Sequence, residues 1–199
     1  NSLICYIIAK LQEVTIKKLE EAGARSLFNN IEMPLAQILA DMQYNGMYVD
    51  EKELKNFGNE LKAQLQTLTE EIYNLAGEEF NINSHQQLGK ILFEKLQLPV
   101  YKKTKNGYTT DVDVLEKLKG QHPIIEKILE YRTLMKLNST YVEGLIPYIN
   151  IKTHKIHSSF HQTITATGRI SSTEPNLQNI PTKTELGKQI RKAFKPAEG

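Results

Sequence analysis

Residues 165–181 read TATGRISSTEPNLQNIP, with one cation, Arg169, and one anion, Glu174, among Thr, Ser, Asn and Gln. A guanidinium carries a fork of hydrogen-bond donors. In the minor groove of duplex DNA every base pair offers acceptors at nearly the same places, purine N3 and pyrimidine O2. An Arg there senses a correctly shaped pair without reading which pair it is. Gly168, just before Arg169, lets the backbone come close to another molecule. Neutral Thr, Asn and Gln can bind sugar and phosphate oxygens without adding indiscriminate charge. The pattern suits a protein that holds any duplex sequence yet checks its shape. It equally suits a long, internally hydrogen-bonded loop punctuated by Pro175 and Pro181.

Three further clusters could do chemistry. Arg132 and Lys136 are four apart and share a helix face, with Ser139 and Thr140 following near the helix end. Two cations and two hydroxyls on one rim suit phosphate oxygens, and a solvated helix end is the alternative. Asn138-Ser139-Thr140 also fits a glycosylation acceptor, which is inert without a secretory signal. Lys102, Lys103 and Lys105 flank Asn106-Gly107, a strong hairpin signal, so this is a basic hairpin tip or a solvated loop. His154, His157 and His161 have a spacing that metal ligands use. No Cys or carboxylate lies near them, and a polar strand face is the preferred reading.

The elements that must position these groups are mostly helical. Leu3, Ile7, Leu11, Val14 and Leu19 have helical spacing within residues 1–28. IEMPLAQILADMQYNG reads as a second helix, with Pro34 in its first turn and Gly46 as its cap. Met47–Val49 reads as a short extended link. Asp50 with Glu53 makes a capping box. It opens a helix with Leu54, Phe57, Leu61, Leu65, Leu68, Ile72 and Leu75 on one narrow stripe, which calls for an antiparallel partner. Gly77 ends it. Ser84 with Gln87 caps a short helix through Lys95. Thr110 or Asp111 caps another through Lys119, and His122-Pro123 breaks the chain. A long helix then runs from Pro123 towards Tyr141, its Ile124, Ile128, Tyr131, Leu134 and Leu137 facing the Leu54–Leu75 stripe. After Pro147 the period changes to two, with Ile156, Ser158, Phe160, Gln162 and Ile164 alternating with His157, Ser159, His161 and Thr163, which predicts a strand. A short basic helix closes the chain from about Glu185 to Phe194.

Bulk properties set limits on these readings. With 199 residues, 40% hydrophobic and 24% charged, the chain has room for one sizeable domain or two small ones. One cysteine, Cys5, excludes an internal disulfide framework and points to a reducing, cytoplasmic setting. The N-terminal LICYIIA is too short to span a bilayer. A start at Asn1-Ser2 without Met leads us to expect a piece of something longer. The net charge of +2 conceals a gradient: residues 1–100 hold nine Lys/Arg against fourteen Asp/Glu, and residues 152–199 hold eight against three. A basic end suits a polyanionic partner or an ordinary solvated surface.

TATGRISSTEPNLQNIP resembles the T-A-T-G-R-L-S-S-x-x-P-N-L-Q-N-I-P segment of the family A DNA polymerases. IEMPLAQILADMQYNGMYVD, FNINSHQQLGKILFEKLQLP, HPIIEKILEYRTLMKLNSTYVEGL and GKQIRKAF are similar to that family too, in its order and spacing, so the resemblance covers essentially the whole chain. It implies a mainly α fold with a small β part (α+β): long antiparallel thumb helices followed by partial palm strands. Residues 1–30 resemble the end of an exonuclease-like domain and its link. Residues 31–150 resemble the start of the polymerase domain and the thumb, and 151–199 a partial palm with a DNA-contacting segment.

By the same resemblance Arg169 matches the minor-groove Arg at the primer terminus. Thr165, Thr167, Asn176, Gln178 and Asn179 match contacts to template and primer. Arg132, Lys136, Ser139 and Thr140 match thumb contacts to the duplex backbone. Lys183 stands where the family commonly has Arg, so charge persists without the bidentate fork. Asn138 stands where Lys is common, implying a weaker thumb grip. The implied partner is a primer–template DNA duplex, with dNTPs only in the full-length parent, and no membrane. The family's two Mg²⁺ ions need clustered carboxylates, and no D-Y-S-x-I-E segment occurs before Glu198-Gly199. The expectation is a DNA-gripping piece of a replicative or repair polymerase that binds no cofactor, has no catalytic residue and is inactive by itself. A helical RNA-binding module and a structural helical interaction protein are the alternatives, the first marked by preference for 2′-hydroxyls.

Overall fold

The protein is described by a computed structural model over residues 2–104 and 107–196. Its helices are α1 (Ser2–Glu21), α2 (Arg25–Leu27), α3 (Met33–Asn45), α4 (Glu51–Ala76), α5 (His85–Lys90), α6 (Val112–Leu118), α7 (Ile124–Leu137) and α8 (Glu185–Lys192). Wider π turns follow α2, α5 and α7 at Phe28–Glu32, Ile91–Lys95 and Asn138–Glu143. The strands are β1 (Met47–Tyr48), β2 (Lys103–Thr104), β3 (Gly107–Tyr108), β4 (Lys155–Ile156), β5 (Ser159–His161) and β6 (Ser171–Thr173). They form three two-stranded antiparallel sheets, β1 with β4, β2 with β3 and β5 with β6. The class is therefore mainly α with a small β part. Two compact units share the chain: one holds the residues up to Tyr48 with Tyr148–Asn179, the other Val49–Pro147 with Ile180–Lys195.

The second unit is built on the stripe of α4. Leu54, Phe57, Leu61, Leu65, Leu68 and Ile72 are buried, while Leu75 is half-buried and Ala76 takes its place in the core. Steps of three and four keep these side chains on one face for seven turns. The face meets Ile124, Ile128, Tyr131, Leu134 and Leu137 of α7, all buried. The pairing is antiparallel, because Lys127 meets Glu71 at 2.6 Å while Lys62, earlier on α4, meets Glu143 at 3.0 Å. At Gly58 an added Cβ would lie 2.7 Å from Val142 Cγ1, so only glycine admits the π turn this close.

Both capping boxes form by half. The Asp50 side chain accepts from the Glu53 N–H at 3.0 Å. The reciprocal bond is replaced: the Asp50 N–H donates to the Ala193 carbonyl at 2.8 Å, and the Glu53 carboxylate meets Lys195 at 2.8 Å. Ser84 accepts from the Gln87 N–H at 3.3 Å, while the Gln87 amide oxygen takes the Asn81 N–H at 2.7 Å. The Ser84 N–H donates instead to the Asn81 carbonyl at 2.9 Å, so in both boxes another acceptor takes the N–H that the side chain would have bound. Lys195 also meets Asp50 at 2.8 Å, and this hydrogen bond, with the Glu53 N–H, holds the Asp50 carboxyl below its usual value. Thr184 caps α8 through the Gly187 N–H at 3.1 Å.

In the first unit α1 forms as its spacing requires, yet Leu3, Ile7, Leu11 and Val14 are exposed. Pro34 lies in the first turn of α3, and the Gly46 N–H closes it on the Met42 carbonyl. The single strand expected over residues 156–164 is corrected to two. β4 leaves after Ile156 to pair with β1, and β5 pairs with β6 in the register Ser159↔Thr173, Phe160↔Ser172, His161↔Ser171. Alternation holds through buried Ile156 and Ser158 and fails at exposed Ile164. The expected β2–β3 hairpin pairs Thr104 with Gly107; its Lys105 and Asn106 lie outside the described residues, as do Asn1, Glu198 and Gly199.

Candidate nucleic-acid interface

The segment TATGR is the tip of the β5–β6 hairpin. The Thr165 hydroxyl donates to the Arg169 carbonyl and closes the tip upon itself. Gly168 has φ +73 with open space where a Cβ would point, so its role is the left-handed turn. The Arg169 side chain is exposed, and no hydrogen bond or ion pair to its guanidinium occurs among the described residues. Thr167 is exposed beside it.

Below the tip, a chain of hydroxyls holds the turn that carries Asn176, Gln178 and Asn179. Ser158 and Ser172 are buried, with Oγ atoms 2.7 Å apart. Ser158 Oγ lies 2.6 Å from the Pro175 carbonyl, and the Leu177 N–H donates to Ser172 Oγ at 3.3 Å. Each hydroxyl has one proton. With the Leu177 N–H donating to Ser172, either hydroxyl can donate to the other, because the Pro175 carbonyl is within reach of both, at 2.6 Å from Ser158 and 3.2 Å from Ser172. Asn176 Oδ1 accepts from the Gln178 N–H at 3.0 Å, and Gln178 Nε2 donates to the Ile170 carbonyl at 2.8 Å. Asn176, Gln178 and Asn179 are nevertheless exposed. Much of the neutral polarity in this stretch thus shapes the loop.

In the helical unit, Lys136, Ser139 and Thr140 are exposed at the end of α7. The π turn rotates Asn138 inward: it is buried against Gly58 and Val142, and its Oδ1 has no hydrogen-bond partner among the described residues. Hydrogen bonds from Lys62, and then Asn138, hold the Glu143 carboxyl below its usual value. Arg132 is half-buried. Its Nη1 donates to the Thr110 carbonyl and its Nη2 to Thr110 Oγ1 at 3.1 Å. Burial pushes the guanidinium down from its ordinary value and Asp111 acts oppositely. Thr110 therefore does not cap α6. Asp111 occupies that position without a side-chain hydrogen bond. Lys183 is exposed on the segment leading to α8.

Sequence reasoning passed over the outer face of α8, where Lys188, Arg191 and Lys192 are exposed; Lys188 pairs with Glu185 at 2.5 Å. The signal was present in GKQIRKAF, whose cations recur at three- and four-residue steps. The three histidines have separate surroundings. His157 Nδ1 lies 2.9 Å from the Gln43 carbonyl, His161 Nε2 lies 2.9 Å from Thr173 Oγ1, and His154 packs edge-on to Tyr48. Among the described residues no three His, Cys, Asp or Glu side chains gather where they could hold a metal ion. The described residues therefore do not fit the Mg²⁺ centre expected of a parent polymerase. No helix among the described residues is long and apolar enough to cross a membrane.

One unit pairs two long helices with exposed Lys136 at their end; the other presents the Arg169 guanidinium at a hairpin tip. The profile of DNA polymerase family A matches residues 51–199. DNA polymerase I of Geobacillus stearothermophilus is 54% identical over 188 residues, 94% of this chain and 22% of its own length. DNA polymerase I of Bacillus subtilis is 52% identical over 191 residues, 96% of this chain and again 22% of its own. Among solved structures, the POL domain of Pol1 from M. smegmatis, in complex with DNA primer-template and dNTP, aligns with a TM-score of 0.84 and 40% identity. The alignment covers 94% of this chain and 33% of that one. The chain belongs to DNA polymerase family A. It spans about a fifth of the length of the curated relatives it matches.

Proposed function

We propose that this chain is the duplex-gripping part of a DNA-directed DNA polymerase that extends primers from dNTPs on a DNA template. The observation that carries the reading is the exposed Arg169 guanidinium at the tip of the β5–β6 hairpin, without a hydrogen-bond or ion-pair partner among the described residues. A cation left unpaired on a braced loop suits a ligand's acceptors, and minor-groove N3 and O2 atoms are acceptors of that kind. Thr165, Thr167, Asn176, Gln178 and Asn179 act with Arg169 at the primer end. Arg132, Lys136, Ser139, Thr140 and Lys183 hold the sugar-phosphate backbone, where contacts position the duplex without reading sequence. Lys188, Arg191 and Lys192 are three further exposed cations available to the same partner.

In this reading residues 1–30 end an exonuclease-like domain, 31–150 begin the polymerase domain and form the thumb, and 151–199 are a partial palm. Clustered carboxylates elsewhere in the parent hold Mg²⁺, which supplies a Lewis acid for nucleotidyl transfer. This chain positions DNA and does not transfer nucleotides by itself. The parent works in the cytoplasm, in keeping with one unpaired cysteine.

The test is fluorescence anisotropy of a labelled primer–template duplex at several salt concentrations, with Arg169→Ala alongside. The expected result is binding that weakens steeply with salt, as counterion release requires, and a further loss of about tenfold in the variant, the scale of one good Arg contact. Unchanged affinity in the variant removes Arg169 from the interface. Incorporation of dNTPs by the purified chain with Mg²⁺ removes the claim that it only positions DNA.

A further inference from the structure

We propose that Thr110 and His85 are positioning residues for Arg132, and that the protonation state of His85 decides whether Arg132 is held ready for a duplex phosphate. This rests on the reading of Arg132 as a backbone contact. A line of three side chains carries it. Arg132 donates to both oxygens of Thr110, and Thr110 Oγ1 lies 2.8 Å from His85 Nδ1. The three residues come from α7, from the loop before α6 and from the first turn of α5.

Proton counting orders the line. A guanidinium only donates, so Thr110 Oγ1 accepts from it. Among the described residues His85 Nδ1 is the one acceptor within reach of the Thr110 proton, so satisfying that buried proton makes Nδ1 an acceptor and leaves the ring neutral with its proton on Nε2. Thr110 is fully buried, leaving its hydroxyl no water to turn to. In this state Arg132 is fixed by two bonds and retains three N–H groups, enough for a forked grip on phosphate oxygens. A protonated Nδ1 is a donor. It would bring a second charged donor to the oxygen that Arg132 uses, and the Thr110 proton would have to leave the line. The ionisable groups on the surrounding elements are Lys90 on α5, Tyr108 on β3, Asp111 before α6, Asp113, Glu116 and Lys117 on α6, and Glu126, Lys127, Glu130, Tyr131, Arg132 and Lys136 on α7. Tyr131 is engaged by Asn83 at 3.2 Å, and Asp111 is the anion acting on Arg132. His85 itself is exposed, so protons reach it, and imidazole is the side chain that ordinarily changes charge between pH 5 and 8. A plain strut joining α7 to the loop would show no such dependence.

The experiment measures duplex affinity for the whole chain, Arg132→Ala, His85→Gln and the double variant, near pH 8 and pH 5.5 at fixed ionic strength. The readout is the loss caused by removing Arg132 in each background, which cancels the general gain in affinity as any histidine charges. In the wild-type background the loss is expected to be about tenfold near pH 8 and about threefold or less near pH 5.5. In the His85→Gln background, where the amide oxygen accepts the Thr110 proton and does not titrate, it stays about tenfold at both. A wild-type loss that is the same at both pH values overturns the relay and leaves the DNA contact standing. No loss near pH 8 overturns both. Nitrogen NMR gives a readout without DNA: Nδ1 of His85 is expected to be unprotonated near pH 8, and a protonated Nδ1 overturns the relay.

Discussion

The hydroxyls of Ser158 and Ser172 lie 2.7 Å apart inside the first unit, one just before β5 and the other within β6. They join two strands and, through the Pro175 carbonyl and the Leu177 N–H, the turn that presents Asn176–Asn179. Ser172→Ala leaves the half-buried Leu177 N–H without its acceptor and buried Ser158 without its hydroxyl partner. Either single Ala variant is expected to lose about 1–3 kcal/mol, the cost of stranding a buried polar group. The double variant should lose less than the sum, since the partners vanish together. Urea unfolding of the four proteins checks this, and strict additivity would show the two hydroxyls to be uncoupled.

Gly58→Ala sets two effects against each other. Alanine favours a helix interior over glycine by about 1 kcal/mol. The new Cβ would lie 2.7 Å from Val142 Cγ1, on a stiff β-branched side chain in a π turn. Overpacking of this kind costs about 1–3 kcal/mol, so net destabilisation is expected. Val142→Ala, itself destabilising, should be partly or wholly offset when combined with Gly58→Ala. A stabilised Gly58→Ala single variant would mean that α4 and the π turn separate easily.

The Lys195 contact predicts a specific pH dependence. The Asp50 carboxyl is held below its usual value first by the Lys195 hydrogen bond. A depressed carboxylate contributes stability above its unfolded value, about 3.9, and loses it as pH falls through the folded value. Lys195→Met should raise the Asp50 titration midpoint and flatten the fall of Tm below about pH 4. The effect should be small, because exposed ion pairs are screened by water and salt. Carbon NMR of the Asp50 carboxyl in both proteins is the measurement, and identical midpoints would show that the Glu53 N–H alone sets the shift.

Lys136 offers a test separate from Arg169. As a phosphate contact, its change to Gln should weaken binding alike for duplexes of any sequence and lower the salt slope by about 1. A change in affinity without a change in slope would place Lys136 away from the phosphates.

Spacing and end caps located the main helices of this protein, though not the π turns that follow α2, α5 and α7. Stripes at three- and four-residue steps, an Asp at position 50 and a glycine at position 77 define α4 and its partner, because helix formation is set by neighbours within a turn or two. Motif order also sufficed to place the chain in its family and to single out Arg169. What spacing did not decide was how each polar group is used. Thr110 reads locally as a helix cap, yet Arg132 and His85, 22 and 25 residues away, bring it a cation and an imidazole. Asn138 stands among the exposed residues Lys136, Ser139 and Thr140 in sequence, but one π turn rotates it into the core. Residues 156–164 read as one strand, although their backbone partners lie in two other segments. A side chain's periodicity is written in its own neighbourhood. Its hydrogen-bond partner is chosen by whatever the fold brings within about 3 Å, and that choice was made only when the chain closed on itself.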